Sequence, residues 1–253
     1  MASREREPNL DVARTTTSTL TPGMVRAAEA ALDEVEDGMT LGLGTGRSAE
    51  AFIRALGARV ATGLNVRGVV TSRRSEHLAR SLEIPLCSLA DVVDDDGIDL
   101  AIDGADEVTD ALALTKGLGG ALLRERVVAS VAARFIVVAT PVKRVARLGT
   151  RAPIPIEVVA FATPLVLRAL RELGAEPTVR HDADGTTPYR TDNGNPVLDA
   201  AVAPLEDPHA FDAAIRAIPG VIDTGLFLDL AAVAHFGHED GTSTRLEAPG
   251  ARG

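Results

Sequence analysis

The sequence predicts an α/β protein, with a mainly parallel sheet followed by a second, smaller α+β domain. Three observations carry this. Short apolar runs alternate with helical stretches through the first half of the chain. Glycine-rich or acidic turns follow those runs, where a parallel sheet gathers its loops. After Pro153 the alternation breaks off and turn residues multiply.

Residues 39–43 read as the first strand, with Gly44-Thr45-Gly46 turning into a helix over about 48–56. Residues 66–70 form the next strand. Thr71-Ser72 follow, placed to cap a helix that runs through Leu82. Residues 98–102 are a third strand. Residues 121–134 carry an apolar helical face of Leu122, Val128, Val131 and Ala132, and 135–138 return to strand. Beyond Pro153, a helix over 164–173 stops at Gly174. An extended piece at 178–180, a turn at 191–195 and a strand at 197–202 come next, then a helix opened by Asp207-Pro208. The apolar runs 225–230 and 232–236 are expected to return to the main sheet. The expected division is a Rossmann-like main domain of 21–149 plus 227–242 and a smaller α+β domain of 150–226. Residues 1–20 and 243–253 are expected to be disordered tails.

Composition narrows the function. The 253 residues are 45% hydrophobic and carry a net charge of −10, with no Trp and one Tyr. An acidic chain without stacking aromatics is a poor nucleic-acid binder. No apolar run is long enough to span a membrane. A lone Cys87 in an apolar run reads as a buried, inert thiol. With no apolar leader segment, the expected compartment is the cytoplasm. Of 26 basic residues, 24 are Arg and two are Lys, namely Lys116 and Lys143. Lysine is the compact donor whose pKa can move.

Three loops are chemically unusual. In Gly44-Thr45-Gly46-Arg47-Ser48, glycines allow close backbone approach and a helix start offers free N–H groups, which suits a phosphate. A tight turn with no ligand reads the same residues equally well. Asp103-Gly104-Ala105-Asp106-Glu107 crowds three carboxylates after an apolar strand. That pattern raises pKa values if buried and is otherwise a solvated acidic turn. Its spacing does not match a calcium loop, and no metal is assigned. Lys116 leads Gly117-Leu118-Gly119-Gly120 into a helix bearing Glu125. A Lys and a Glu flanking a loop can hold an oxyanion and move a proton, although Glu125 alone reads as a helix-surface residue. No histidine cluster or Ser-His-Asp arrangement stands out, and His235 and His238 read as surface or strand-edge residues.

Taken together, these segments resemble type A ribose-5-phosphate isomerase. Pro153-Ile154-Pro155-Ile156-Glu157-Val158, Thr191-Asp192-Asn193-Gly194-Asn195 and Pro219-Gly220-Val221 add to the match, which covers roughly residues 24–242. The resemblance implies a cofactor- and metal-independent interconversion of ribose 5-phosphate and ribulose 5-phosphate through an enediolate, in a homodimer or homotetramer. It implies Glu125 as the proton carrier, Asp103 and Asp106 as the catalytic pair that binds the sugar and helps ring opening and hydroxyl proton transfer, and Lys116 as the catalytic lysine beside the enediolate. Thr45, Gly46, Arg47, Ser48, Gly104, Ala105, Gly117, Leu118, Gly119 and Lys143 complete the implied substrate contacts. Both lysines of this Arg-rich chain thus fall on lysine positions of that site. Arg47-Ser48 stands where the family usually has Ser-Thr, Thr140-Pro141-Val142 replaces an Asp-Glu-Ser run, and Leu118 replaces a frequent glycine. An isomerase for another sugar phosphate is therefore the alternative. A sugar-phosphate sensor would be expected to lack Glu125 or Lys116, and a coenzyme A transferase would use a glutamate as nucleophile.

Overall fold

The apolar runs do become strands, set between helices in the order the alternation predicts. The computed structural model describes residues 19–93 and 97–248. It opens with helix α1 (Pro22–Leu32), which the pattern reading did not anticipate. Thr21 caps it through its hydroxyl, and Pro22 takes a position where a missing N–H costs nothing. Then follow β1 (Thr40–Leu43), α2 (Arg47–Val60), β2 (Arg67–Val70), α3 (Arg73–Ser81), the single turn α4 (Ala90–Val93) and β3 (Ile98–Asp103). Two short strands, β4 (Glu107–Val108) and β5 (Leu114–Thr115), precede α5 (Leu122–Val131) and β6 (Ala132–Ala139). The remainder is β7 (Ile154–Val158), α6 (Thr163–Glu172), β8 (Glu176–Val179), β9 (Val197–Ala201), α7 (Pro208–Arg216), β10 (Val221–Thr224), β11 (Leu226–Phe227), β12 (Val233–Gly237) and β13 (Ser243–Glu247).

The main sheet runs β13-β12-β6-β3-β1-β2 and is parallel except at β13. Both faces are covered, which is why β1 is buried along its whole length. One face packs Ala27, Ala31, Phe52, Ile53 and Leu56 from α1 and α2. The other packs Val128 and Ala129 of α5 with Phe135 and Phe236. The chain goes from β1 outward to β2, then back to the opposite side of β1 for β3. The topological switch point thus lies between the carboxyl ends of β1 and β3, where such sheets open a crevice.

A second, antiparallel sheet runs β10-β7-β9-β8. It has its own apolar cluster of Ile156, Val158, Val166, Leu170, Leu198 and Ile215. A three-stranded antiparallel sheet runs β11-β5-β4.

Several expectations need correction. The helix expected to reach Arg134 stops at Val131, because Ala132 and Arg134 pair with Ile98 and Leu100 of β3. A ladder partner distant in sequence outweighs local helix preference there. Of the two last apolar runs, only β12 joins the main sheet; Leu226 and Phe227 pair with β5 instead. The expected C-terminal tail is ordered over Ser243–Glu247 as edge strand β13. Its charged, half-exposed residues lack an apolar alternation but suit a sheet edge. The rest of that tail, 249–253, and residues 1–18 lie outside the described residues. His235 is buried rather than superficial, with Nε2 2.6 Å from Glu34 Oε1. Cys87 is half-buried, and burial pushes its thiol up, away from the reactive thiolate. Among the described residues, no helix is long and apolar enough to cross a membrane.

Candidate active site

The carboxyl ends of β1, β2, β3 and β6 deliver their loops to one cavity of about 330 Å³, which suits a small ligand. After β1 the chain turns through Gly44, Thr45 and Gly46 into α2. No side chain caps that helix, so its first N–H groups are left for other acceptors. The Thr45 hydroxyl is pinned by Thr71 Oγ1 at 2.7 Å and Ser72 Oγ at 2.8 Å. Ser72 also caps α3, as its position predicted, by accepting from Ser75 N–H. The Ser75 hydroxyl in turn donates to Gly44 O at 2.6 Å. Two strand-end loops are thereby locked together by hydroxyls.

β3 ends on Asp103, whose Oδ1 accepts from Thr45 N–H at 2.9 Å and Gly104 N–H at 2.7 Å. Its Oδ2 lies 3.0 Å from Lys116 Nζ. Lys116, at the end of β5, is 2% exposed and also donates to Gly104 O. Its ammonium lies 3.4 Å from Glu125 Oε2 and 5.4 Å from the Phe227 ring centre. Glu125, in the first turn of α5, is 4% exposed, so its surface reading fails.

The electrostatics follow from this packing. Burial, and next the Asp103 charge, push Glu125 up to about 8 against the pull of Lys116. Burial likewise raises Asp103, although Lys116 opposes it. Burial alone would lower the Lys116 ammonium, but Asp103 and Glu125 reverse the sign and raise it. The site is one buried cation shared by two buried acids, one of them raised to about 8.

The expected residues mostly converge. Thr45, Gly46, Arg47, Ser48, Gly104, Ala105, Asp106, Lys116, Gly117, Gly119, Glu125 and Lys143 all line the cavity. Asp103 instead stands behind the wall, against Lys116 and the Thr45 loop. The Leu118 side chain is 44% exposed and outside the lining, while its N–H donates to Asp106 Oδ2 at 3.0 Å. The three acids of 103–107 do not form one crowd. Glu107 turns away, fully buried, and accepts from Thr115 Oγ1 and from the N–H groups of Gly149, Arg151 and Ala152. Among the described residues, no three His, Cys, Asp or Glu side chains gather as a metal site would require.

Two lining residues were missed, Met24 and Arg74. Met24 belongs to the unanticipated α1. Arg74, in the first turn of α3, pairs with Glu50 at 3.0 Å, and only its nearness to Ser72 hinted at the site. Larger hollows lie against Cys87 and against Glu176. Neither holds a lysine.

Gly44 shows how tight the arrangement is. A Cβ there would sit 2.2 Å from both Asp103 Oδ1 and Cγ. Gly44→Ala is therefore expected to push Asp103 off Lys116 and lower kcat/KM about a hundredfold. Steady-state kinetics beside a thermal melt check this; unchanged kinetics in the folded variant would refute it.

Comparison with known proteins shows the family and the fold. A family model described as Ribose 5-phosphate isomerase A (phosphoriboisomerase A) matches residues 67–241. A ribose-5-phosphate isomerase A of Roseiflexus castenholzii is 51% identical over 228 residues, covering 89% of this chain and 95% of that protein. The solved ribose 5-phosphate isomerase A of Methanocaldococcus jannaschii superposes with a TM-score of 0.83 at 38% identity, covering 88% of this chain and 97% of that one. A D-ribose-5-phosphate isomerase in complex with phospho-erythronic acid gives a TM-score of 0.84, also at 38% identity, with 88% and 97% covered. With the family model matching residues 67–241 and a relative 51% identical across 89% of the chain, the chain belongs to the ribose 5-phosphate isomerase A family.

Proposed function

We propose that the protein interconverts D-ribose 5-phosphate and D-ribulose 5-phosphate through an enediolate, with Glu125 carrying the proton between C2 and C1. The observation that carries this is the buried Lys116 ammonium between Asp103 and Glu125, with the Glu125 carboxyl raised to about 8. Taking a proton from carbon beside a carbonyl needs a base matched to neutral pH and a cation for the developing oxyanion. Glu125 supplies the first and Lys116 the second. Asp106, in the cavity wall, is suited to accept sugar hydroxyls, and Asp103 to hold Lys116 and the Thr45 loop in place. The uncapped start of α2, with Arg47, Ser48 and Lys143 at the cavity, suits the phosphate. That a family structure holds phospho-erythronic acid supports a phosphorylated sugar acid or sugar in this cavity.

The reading extends to a cytoplasmic, metal- and cofactor-independent homodimer or homotetramer, on the family's likeness. It includes a catalytic domain of 21–149 plus 227–242 and a smaller domain of 150–226, which the separate apolar cluster of the second sheet supports. Arg47 at the cavity favours one second reading, an isomerase for a different pentose phosphate. Direct assay of the purified protein with ribose 5-phosphate and other pentose phosphates tests both. Preferred turnover of ribose 5-phosphate is expected; turnover of another pentose phosphate alone would overturn it.

Glu125 abstracts a proton only as a carboxylate. With its pKa at about 8, the ionised fraction grows about tenfold per unit at lower pH. Accordingly kcat/KM is expected to rise with pH and level off above about 8. The same shift favours the protonated folded state. Its contribution to stability is full below the ordinary value of 4.5 and is lost as pH rises through about 8. A pH–rate profile with no limb near 8 would contradict the assignment.

A further inference from the structure

The turn that brings Gly117 and Gly119 to the cavity wall, with Leu118 between them facing out, is gripped from the second sheet. Arg180, just past β8, has a side chain only 11% exposed. It forks onto Asp199 of β9, with Nε 2.8 Å from Oδ2 and Nη2 on Oδ1. Its remaining nitrogen, Nη1, donates to Gly117 O at 2.9 Å and Leu118 O at 3.2 Å. The guanidinium lies 5.7 Å from the centre of the Tyr189 ring. The Tyr189 hydroxyl in turn lies where a side chain on Gly120 would begin, 1.9 Å from an added Cβ, and Gly120 has a φ of +78°. The far side of the same turn presents Leu118 N–H to Asp106 Oδ2 at 3.0 Å. Asp106 lines the cavity, whereas Arg180, Asp199 and Tyr189 do not.

We infer that Arg180, held by Asp199, is a positioning residue that sets the 117–120 turn and, through Leu118 N–H, aims Asp106 at the substrate. The inference rests on the isomerase reading above. A planar guanidinium can bond a carboxylate in a fork and still reach two carbonyls, while an ammonium cannot hold that geometry. Arg180 thus links the second sheet to the substrate site without touching the cavity.

A double-mutant cycle tests it, with kcat and KM for ribose 5-phosphate measured on the wild type, Arg180→Met, Asp106→Ala and the double variant. Arg180→Met is expected to lower kcat/KM about 10- to 100-fold in the wild-type background. In the Asp106→Ala background the loss is expected to shrink below about threefold, since alanine offers Leu118 N–H no acceptor and the path through Asp106 is already cut. Arg180→Lys is expected to recover only part of the loss. Equal losses in both backgrounds, or full activity in Arg180→Met, would overturn the proposal by leaving Arg180 a brace for the fold alone. Circular dichroism and thermal melts establish folding. Should Arg180→Met not fold, Arg180→Lys takes its place in the cycle under the same criterion. Wild-type turnover in the same assay reports separately on the isomerase reading.

Discussion

Glu125→Gln is expected to lower kcat for ribose 5-phosphate by roughly three to four orders of magnitude while KM stays within about threefold. That loss corresponds to about 4–5.5 kcal/mol of transition-state stabilisation. Glutamine keeps the shape of the side chain in its 4% exposed slot but cannot take a proton. The other residues of the cavity wall, Thr45, Asp106 and Lys143 among them, are untouched, so binding should survive. The fold should survive too. The substitution removes a carboxyl that burial and Asp103 already disfavour as an anion, so at pH 9 the thermal midpoint is expected to be at least that of the wild type. Retained turnover would eliminate Glu125 as the base.

Lys116→Met is expected to cost about a thousandfold or more in kcat/KM, and to move the rising limb of the pH profile above 8. The ammonium opposes the upward shifts of both Asp103 and Glu125. Without it, both carboxyls remain buried with no cation between them, and both hold their protons to higher pH. The base is then protonated over more of the neutral range, and the oxyanion has lost its partner. Removing one member of a buried ion pair usually destabilises by about 3–5 kcal/mol. Here protonation of the stranded acids offsets part of that, so the melt should fall more steeply at high pH than at low. A variant whose activity drops while its pH limb stays put would show that Lys116 does not set the Glu125 carboxyl.

Much of the site was legible because its residue types are unusual where they stand. Two lysines in an arginine-rich chain, glycines at strand ends and acids after an apolar run each ask for a reason, and the resemblance supplied one. Other parts were not legible, for physical reasons. Asp103, Asp106 and Glu107 read as one acidic cluster, but Glu107 sits on β4 and satisfies four donors away from the cavity. Arg126, next to Glu125, drew no notice. It stacks 4.2 Å from the Phe227 ring centre and binds Asp223 with both carboxylate oxygens within 2.8 Å. Arg180 sits in a turn-rich stretch with no motif signal. In each case the partner lies on a strand far along the chain, and local spacing carries no trace of it.

From the sequence alone came the alternation of strands and helices, the caps at Ser72 and Asp207, and the set of groups able to do proton chemistry. Those features are local: side-chain periodicity, turn preference and capping act within a few residues. The tertiary structure alone decided which groups meet and in what charge state. Glu125 is an ordinary acid until β3 brings Asp103 and β5 leads Lys116 up to it, and the packing buries all three. Desolvation and Coulomb energy belong to the surroundings rather than to the residue, and those surroundings exist only once distant strands have paired.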